Sequence, residues 1–249
     1  MRLSLYFSFF VLNIIFSTQF LYSQMEPCLC KGKGFNYRAF FIDSIGDTLT
    51  KEIIKIVPTG KRWIFQPRVQ MGVNYYYSTD TIGFQKINPL FQDDRYKNRM
   101  KRKGKVKFED KENTGFTCSE NSYFLHPPRQ NQYKMMYYAA YPVIDYTMLN
   151  DSVEHIVYTT NVLGPVDAVH RYEIFPYTGI SPLKDSMKTQ LWTVNANSDV
   201  TGLSEYFESQ HYHNSKMEGL YCPEIGFIRM HYTFENGVRI YFDYVEENL

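Results

Sequence analysis

Between Phe227 and Tyr244 the chain reads FIRMHYTFENGVRIYFDY, and few folds accommodate such a run. Apolar side chains take every second position before the turn (Ile228, Met230, Tyr232, Phe234) and after it (Val238, Ile240, Phe242, Tyr244). That is the period of a half-buried strand. A two-residue Asn-Gly loop would set Phe234 opposite Arg239 and turn the two apolar rows to opposite sides of the sheet. A three-residue loop, Glu235 to Gly237 with Gly237 left-handed as a G1 bulge, pairs Phe234 with Val238, Tyr232 with Ile240, Met230 with Phe242 and Ile228 with Tyr244. All eight apolar residues then share one face, with Arg229 facing Asp243 and His231 facing Tyr241 on the other.

The rest of the chain fits the same pattern. Twenty-two tyrosines and nineteen phenylalanines favour a pleated, half-buried surface. Strands are expected at 35–42, 50–57, 61–65 and 69–77, separated by Gly46-Asp47, Pro58-Thr59-Gly60 and Pro67. Further strands are expected at 114–124, 133–138, 153–161, 169–175 and 189–196, and Leu203, Tyr206 and Phe207 have the spacing of one short helix. The fold class is therefore mainly β, an antiparallel meander forming a curved sheet or flattened barrel with at most one or two short helices. Trp63, beside Ile64 and Phe65, is read as core ahead of a sugar-stacking platform.

Met1-Arg2, the apolar run Leu3 to Phe16 and the polar stretch to Ser23 have the layout of a secretory signal peptide, with cleavage expected near Ser23-Gln24. The run is shorter than the ~20 residues of a membrane-spanning helix. Met25-Glu26-Pro27 before Cys28 lacks the small residues of a lipoprotein cleavage site, so an exported protein, periplasmic or extracellular and without a transmembrane span, is expected over a lipid-anchored one. Residues 24–249 then form one β-rich domain, or two subdomains divided near 93–112. Four cysteines in an exported chain allow disulfides from Cys28 and Cys30 to Cys118 and Cys222, with both pairings open. Unpaired thiols, or a metal held by Cys28, Cys30, His211 and His213, are the competing readings.

The formal charge of +1 gives no overall attraction to nucleic acid. Locally, residues 95–107 hold eight Lys or Arg and no acid, Arg99, Lys101, Arg102 and Lys103 among them. Such a run is a solvated loop or a contact for an anionic partner, a lipid headgroup or acidic polysaccharide. No nucleophile elbow, His-Glu-x-x-His, phosphate loop or dinucleotide fingerprint occurs. Glu205, Glu208, His211 and His213 have acid-base side chains but no template spacing.

In His126-Pro127-Pro128-Arg129 the prolines favour a stiff polyproline-II segment that puts His126 and Arg129 on one side, placed to bracket a carboxylate or phosphate. The competing role is to end the strand through Phe124 while Arg129 pairs with an internal acid. Three stretches, YFLHPPR at 123–129, LWTVNANS at 191–198 and IGFIRMHY at 225–232, resemble an uncharacterised family of exported, β-rich Bacteroidetes proteins. The closing strands resemble the half-barrels of periplasmic lipid- and lipoprotein-handling domains. The resemblance implies export and a β fold, and brings no catalytic residues. The expected function is a non-enzymatic domain, without cofactor, that binds an apolar or anionic envelope component such as a lipid or glycan. The alternative is a hydrolase of envelope or extracellular polymer.

Overall fold

The closing hairpin adopts the three-residue loop. Phe234 N–H donates to Val238 O at 2.9 Å, Gly237 N–H donates to Phe234 O at 2.9 Å, and Gly237 has φ +84°. Tyr232 faces Ile240, Met230 faces Phe242, His231 faces Tyr241 and Arg229 faces Asp243.

The computed structural model describes residues 27–78, 111–129, 131–147, 149, 152–161, 164–183, 189–201 and 214–246. Its strands are β1 (Phe35–Ile42), β2 (Thr48–Arg62), β3 (Met71–Tyr77), β4 (Lys111–Cys118), β5 (Ser122–Leu125), β6 (Val143–Asp145), β7 (Ser152–Asn161), β8 (Gly164–Pro176), β9 (Trp192–Thr201), β10 (Ser215–Cys222), β11 (Gly226–Phe234) and β12 (Arg239–Val245). They form one antiparallel sheet in the order β6-β5-β4-β3-β2-β1-β12-β11-β10-β9-β8-β7. Two meanders are thus joined where the first and last strands pair, Asn36 opposite Val245 through Ile42 opposite Arg239.

The two edge strands are consecutive in the chain, and this forces curvature. From Asp145 to Ser152 the backbone can span at most about 25 Å. Twelve strands laid flat at ~4.8 Å spacing would hold those edges about 53 Å apart. The sheet therefore curls into a nearly closed barrel.

Inside the curl runs a segment without strand pairing, a 3-10 helix (Asn131–Tyr138) followed by residues 139–142. Tyr133, Met135, Met136, Tyr138 and Ala139 are all buried, so the turn is enclosed on more than one side. A strand was expected at 133–138, but a segment enclosed by the barrel has no open strand edge to pair with and closes its own short-range turn instead. A buried segment needs partners for its backbone. The barrel wall supplies them: Tyr172 Oη donates to Tyr141 O at 3.0 Å, Tyr232 Oη to Ala140 O at 3.1 Å and Ser198 Oγ to Tyr138 O at 2.7 Å, while Tyr75 Oη holds the approach to the segment by donating to His126 O at 2.5 Å. The concave face is a packed core, with Tyr37, Phe41, Tyr75, Phe227, Phe234 and Phe242 buried in it.

Ile228 departs from the expected face. The β10–β11 register shifts between Leu220 and Tyr221, which pair with Arg229 and Phe227 and leave Ile228 in a bulge. Phe227 then joins the main core, while Ile228 packs outside it with Leu183, Leu191, Leu220, Cys222 and Ile225. The expected strand at 114–124 is the β4–β5 hairpin. The flanks of residues 79–110 belong to one sheet, Tyr76 facing Lys111. Among the described residues no helix is long and apolar enough to cross a membrane.

Candidate functional site

The β2–β3 connection builds one wall of the site. β2 runs past Pro58, which faces Val73, and rejoins the ladder at Arg62, which faces Met71. Trp63 N–H then donates to Gln70 O at 2.9 Å and closes a loop over residues 64–69. Contrary to the expected strand at 61–65, Ile64 and Phe65 are exposed at the loop tip, and Trp63 alone turns in.

Trp63 and Gln70 lie on the outer face of β4, directly over Gly115. A Cβ at that position would sit 2.0 Å from Gln70 Oε1 and 2.7 Å from Trp63 Cε3. β5 ends at Leu125, where the two prolines that follow forbid further pairing. His126 N–H donates to Gly115 O at 3.1 Å, which sets its ring in the same row as Trp63. The imidazole is boxed by Trp63 (ring centroids 5.2 Å apart), Phe124 (4.7 Å) and Tyr141 (5.1 Å), and Tyr141 touches His170 of β8 at 5.3 Å.

Three side chains here are nearly fully buried, Trp63 at 8%, Gln70 at 6% and His126 at 6% exposure. Each keeps polar atoms without a hydrogen-bond partner among the described residues: Trp63 Nε1, Gln70 Oε1 and both His126 ring nitrogens. Buried polar groups are nearly always paired, so four orphaned atoms in one box call for water or another outside group as partner. Burial, with Arg129 nearby, pushes the His126 pKa down to about 3. The ring is neutral at physiological pH and can donate one hydrogen bond and accept another.

Arg129 stands beside the box. Its Nη2 donates to Thr114 Oγ1 at 3.1 Å, its backbone N–H donates to Glu112 Oε2 at 2.8 Å, and its guanidinium lies 5.3 Å from the centre of the Tyr137 ring. The acid is itself fixed, since Tyr77 Oη donates to Glu112 Oε2 at 2.6 Å. Arg129 remains partly exposed. His126 is enclosed by rings, so the pair does not form the open bracket expected of it.

Cys30 is bonded to Cys118, one bridge of one of the two expected pairings, and its companion bridge from Cys28 to Cys222 is not formed; the bond removes Cys30 as a thiolate ligand for a metal. Cys28 and Cys222 are free thiols, and burial raises both pKa values. Cys28 N–H donates to Ile225 O at 3.3 Å. The basic run with Arg99, Lys101, Arg102 and Lys103 lies outside the described residues, as do residues 1–23, the short helix expected at 203–207, and Glu205, Glu208, His211 and His213.

Trp63 and Gln70 were not expected to meet His126. The available signal was Gly72 and Gly115, two strand-interior glycines that face each other on the outer row. Glycine inside a strand marks close approach by another group. A second polar constellation sits on the outer face of β11 and β12, where His231 Nε2 lies 2.9 Å from Asp243 Oδ1 and Arg229 Nε 3.7 Å from the same oxygen. Tyr241 stacks on His231 at 4.2 Å. The carboxylate is shared between the imidazole and the guanidinium of β11, which ties β11 to β12 on the outer face.

No protein-family model matches the chain, and no curated protein matches it. A crystal structure of a presumed lipoprotein from Parabacteroides distasonis aligns over 88% of this chain and 96% of its own, with 11% identity and a TM-score of 0.33. The overlap is too loose to bear on fold or function.

Proposed function

We propose that this protein is an exported, non-catalytic binding domain whose site is the box of Trp63, Gln70, His126 and Tyr141, and that its ligand is an envelope glycan carrying an anionic substituent. The observation that carries this reading is the set of unpartnered polar atoms on three buried side chains in one aromatic enclosure. Aromatic faces stack on the apolar face of a sugar ring, while Trp63 Nε1, Gln70 Oε1 and neutral His126 match its hydroxyls. Arg129, partly exposed beside them, supplies the charge for a carboxylate or phosphate. Orphaned partners are also a source of specificity, because a ligand lacking the matching hydroxyl leaves them unpaired.

The chain has two tryptophans, so Trp192→Phe leaves Trp63 as the sole reporter. Hyaluronan oligosaccharides should shift its emission saturably, neutral chitin oligosaccharides should do so more weakly, and Gln70→Leu or His126→Phe should abolish the response. An unchanged emission, together with native mass spectrometry of the host-purified protein showing no glycan adduct, would remove the proposal. Export has its own check, since protein secreted by its host should begin at or near Gln24.

A further inference from the structure

The loop that closes the box turns its own apolar side chains to solvent. Ile64, Phe65 and Val69 are 75%, 73% and 58% exposed, although Trp63 and Gln70 at its base are buried. Val69 O accepts from Thr117 Oγ1 at 3.4 Å, and Gln70 N–H donates to Gln66 O at 2.9 Å, so the tip is an ordered turn. Scattered exposed apolar residues are ordinary, but three on one ordered tip form a patch.

Along the chain the tip is flanked by cations, although the exposed Glu120 of the β4–β5 turn lies near Thr117, which bonds Val69 O. Lys61, Arg62 and Arg68 flank it and are exposed, and no Asp or Glu occurs from residue 53 to 79. The strand directions put the segment before β1, with exposed Lys31 and Lys33, at the same end of the barrel, together with Glu224 and Glu246. Large apolar side chains ringed by Lys and Arg are the composition of a surface that enters the headgroup region of a bilayer, where the apolar groups reach the acyl boundary and the cations stay with anionic headgroups.

We propose that the 64–69 tip docks this end of the barrel onto an anionic lipid surface, with Ile64, Phe65 and Val69 inserted and Lys61, Arg62 and Arg68 against the headgroups. The proposal uses exposed side chains where the glycan reading uses buried ones; the two meet only where the Phe65 ring lies edge-on to Trp63 at 5.4 Å.

The test uses the full chain and phosphatidylcholine vesicles with or without phosphatidylglycerol. In a Phe65→Trp variant, emission should shift to the blue on phosphatidylglycerol vesicles, and raising salt should reverse much of the shift. Ile64→Ser/Phe65→Ser should weaken flotation with those vesicles at least about tenfold relative to wild type. The apolar run at residues 3–16, common to all variants, cancels in that comparison. Far-ultraviolet circular dichroism and the urea midpoint should match wild type, because both substituted positions are exposed. No blue shift, equal response to both vesicle types, or unchanged flotation of the double variant would each overturn the proposal. So would concentration-dependent dimerisation that the double variant abolishes, since the tip would then serve a second copy of the chain.

Discussion

Gly115 bears the tightest constraint in the candidate site. With Gln70 Oε1 and Trp63 Cε3 at 2.0 and 2.7 Å from the position a Cβ would take, Gly115→Ala must displace a buried ring or a buried amide. Overpacking of this kind costs about 1–3 kcal/mol, which would appear as a lowered urea midpoint with Trp63 emission shifted to the red. His126 gives a second expectation. Its folded pKa, about 3, lies below the ordinary 6.5, so the unfolded chain takes up a proton that the native state refuses. Its stabilising contribution is whole above pH 6.5 and falls by roughly 1.4 kcal/mol per pH unit as pH drops from there toward 3. Subtracting the pH profile of His126→Phe from that of wild type isolates this slope from the carboxylates; a flat difference would mean that the imidazole is hydrated. Legibility at single positions was uneven. His126 and Arg129 stood out because two prolines stiffen the chain between them, but the rings around His126 come from β2, β5 and the interior segment, and no local spacing joins those.

The closing hairpin was legible because apolar period and turn geometry constrain one another, and only a three-residue loop satisfies both. Its far end was not. Ile228 follows the same alternation, yet the bulge opposite Leu220 and Tyr221 gives its place in the core to Phe227, an exchange between two neighbouring apolar residues that a period of two does not distinguish. β10 escaped notice for a related reason: Ser215, Met217 and Gly219 form a small, weak inner row, and the bulge breaks the phase before Tyr221. The disulfide was legible as a choice between two pairings, because only the curl of the sheet brings the segment before β1 to the end of β4. It closes a loop with a sequence separation of 88 residues. Cys30→Ser/Cys118→Ser should therefore lose about 2–4 kcal/mol in a urea titration, and a reducing agent should bring wild type to the same midpoint. A wild-type midpoint that ignores the reductant would show that the bond does not contribute.

For the whole barrel, tyrosine does more than favour strands. The sequence signals an aromatic sheet, but not a second layer of chain inside it, because that layer is held by hydroxyls on strands far apart in sequence that donate to its carbonyls. The cost of this design appears at high pH. Nine tyrosines (37, 75, 77, 123, 141, 146, 172, 221 and 232) have pKa values raised above 10, with burial the leading cause in every case. A phenol that ionises more readily in the unfolded chain stabilises the fold below pH 10, and that contribution is lost as pH rises beyond it. Each such group contributes a slope of roughly 1.4 kcal/mol per pH unit above 10, so nine together would remove a typical stability of about 5–15 kcal/mol within about one unit. Phenolate absorbance should rise steeply at about pH 11, and the rise should coincide with loss of the near-ultraviolet circular dichroism signal. A single smooth titration of all tyrosines with that signal intact would show that water reaches the interior, and that the tyrosine wall does not hold the inner segment.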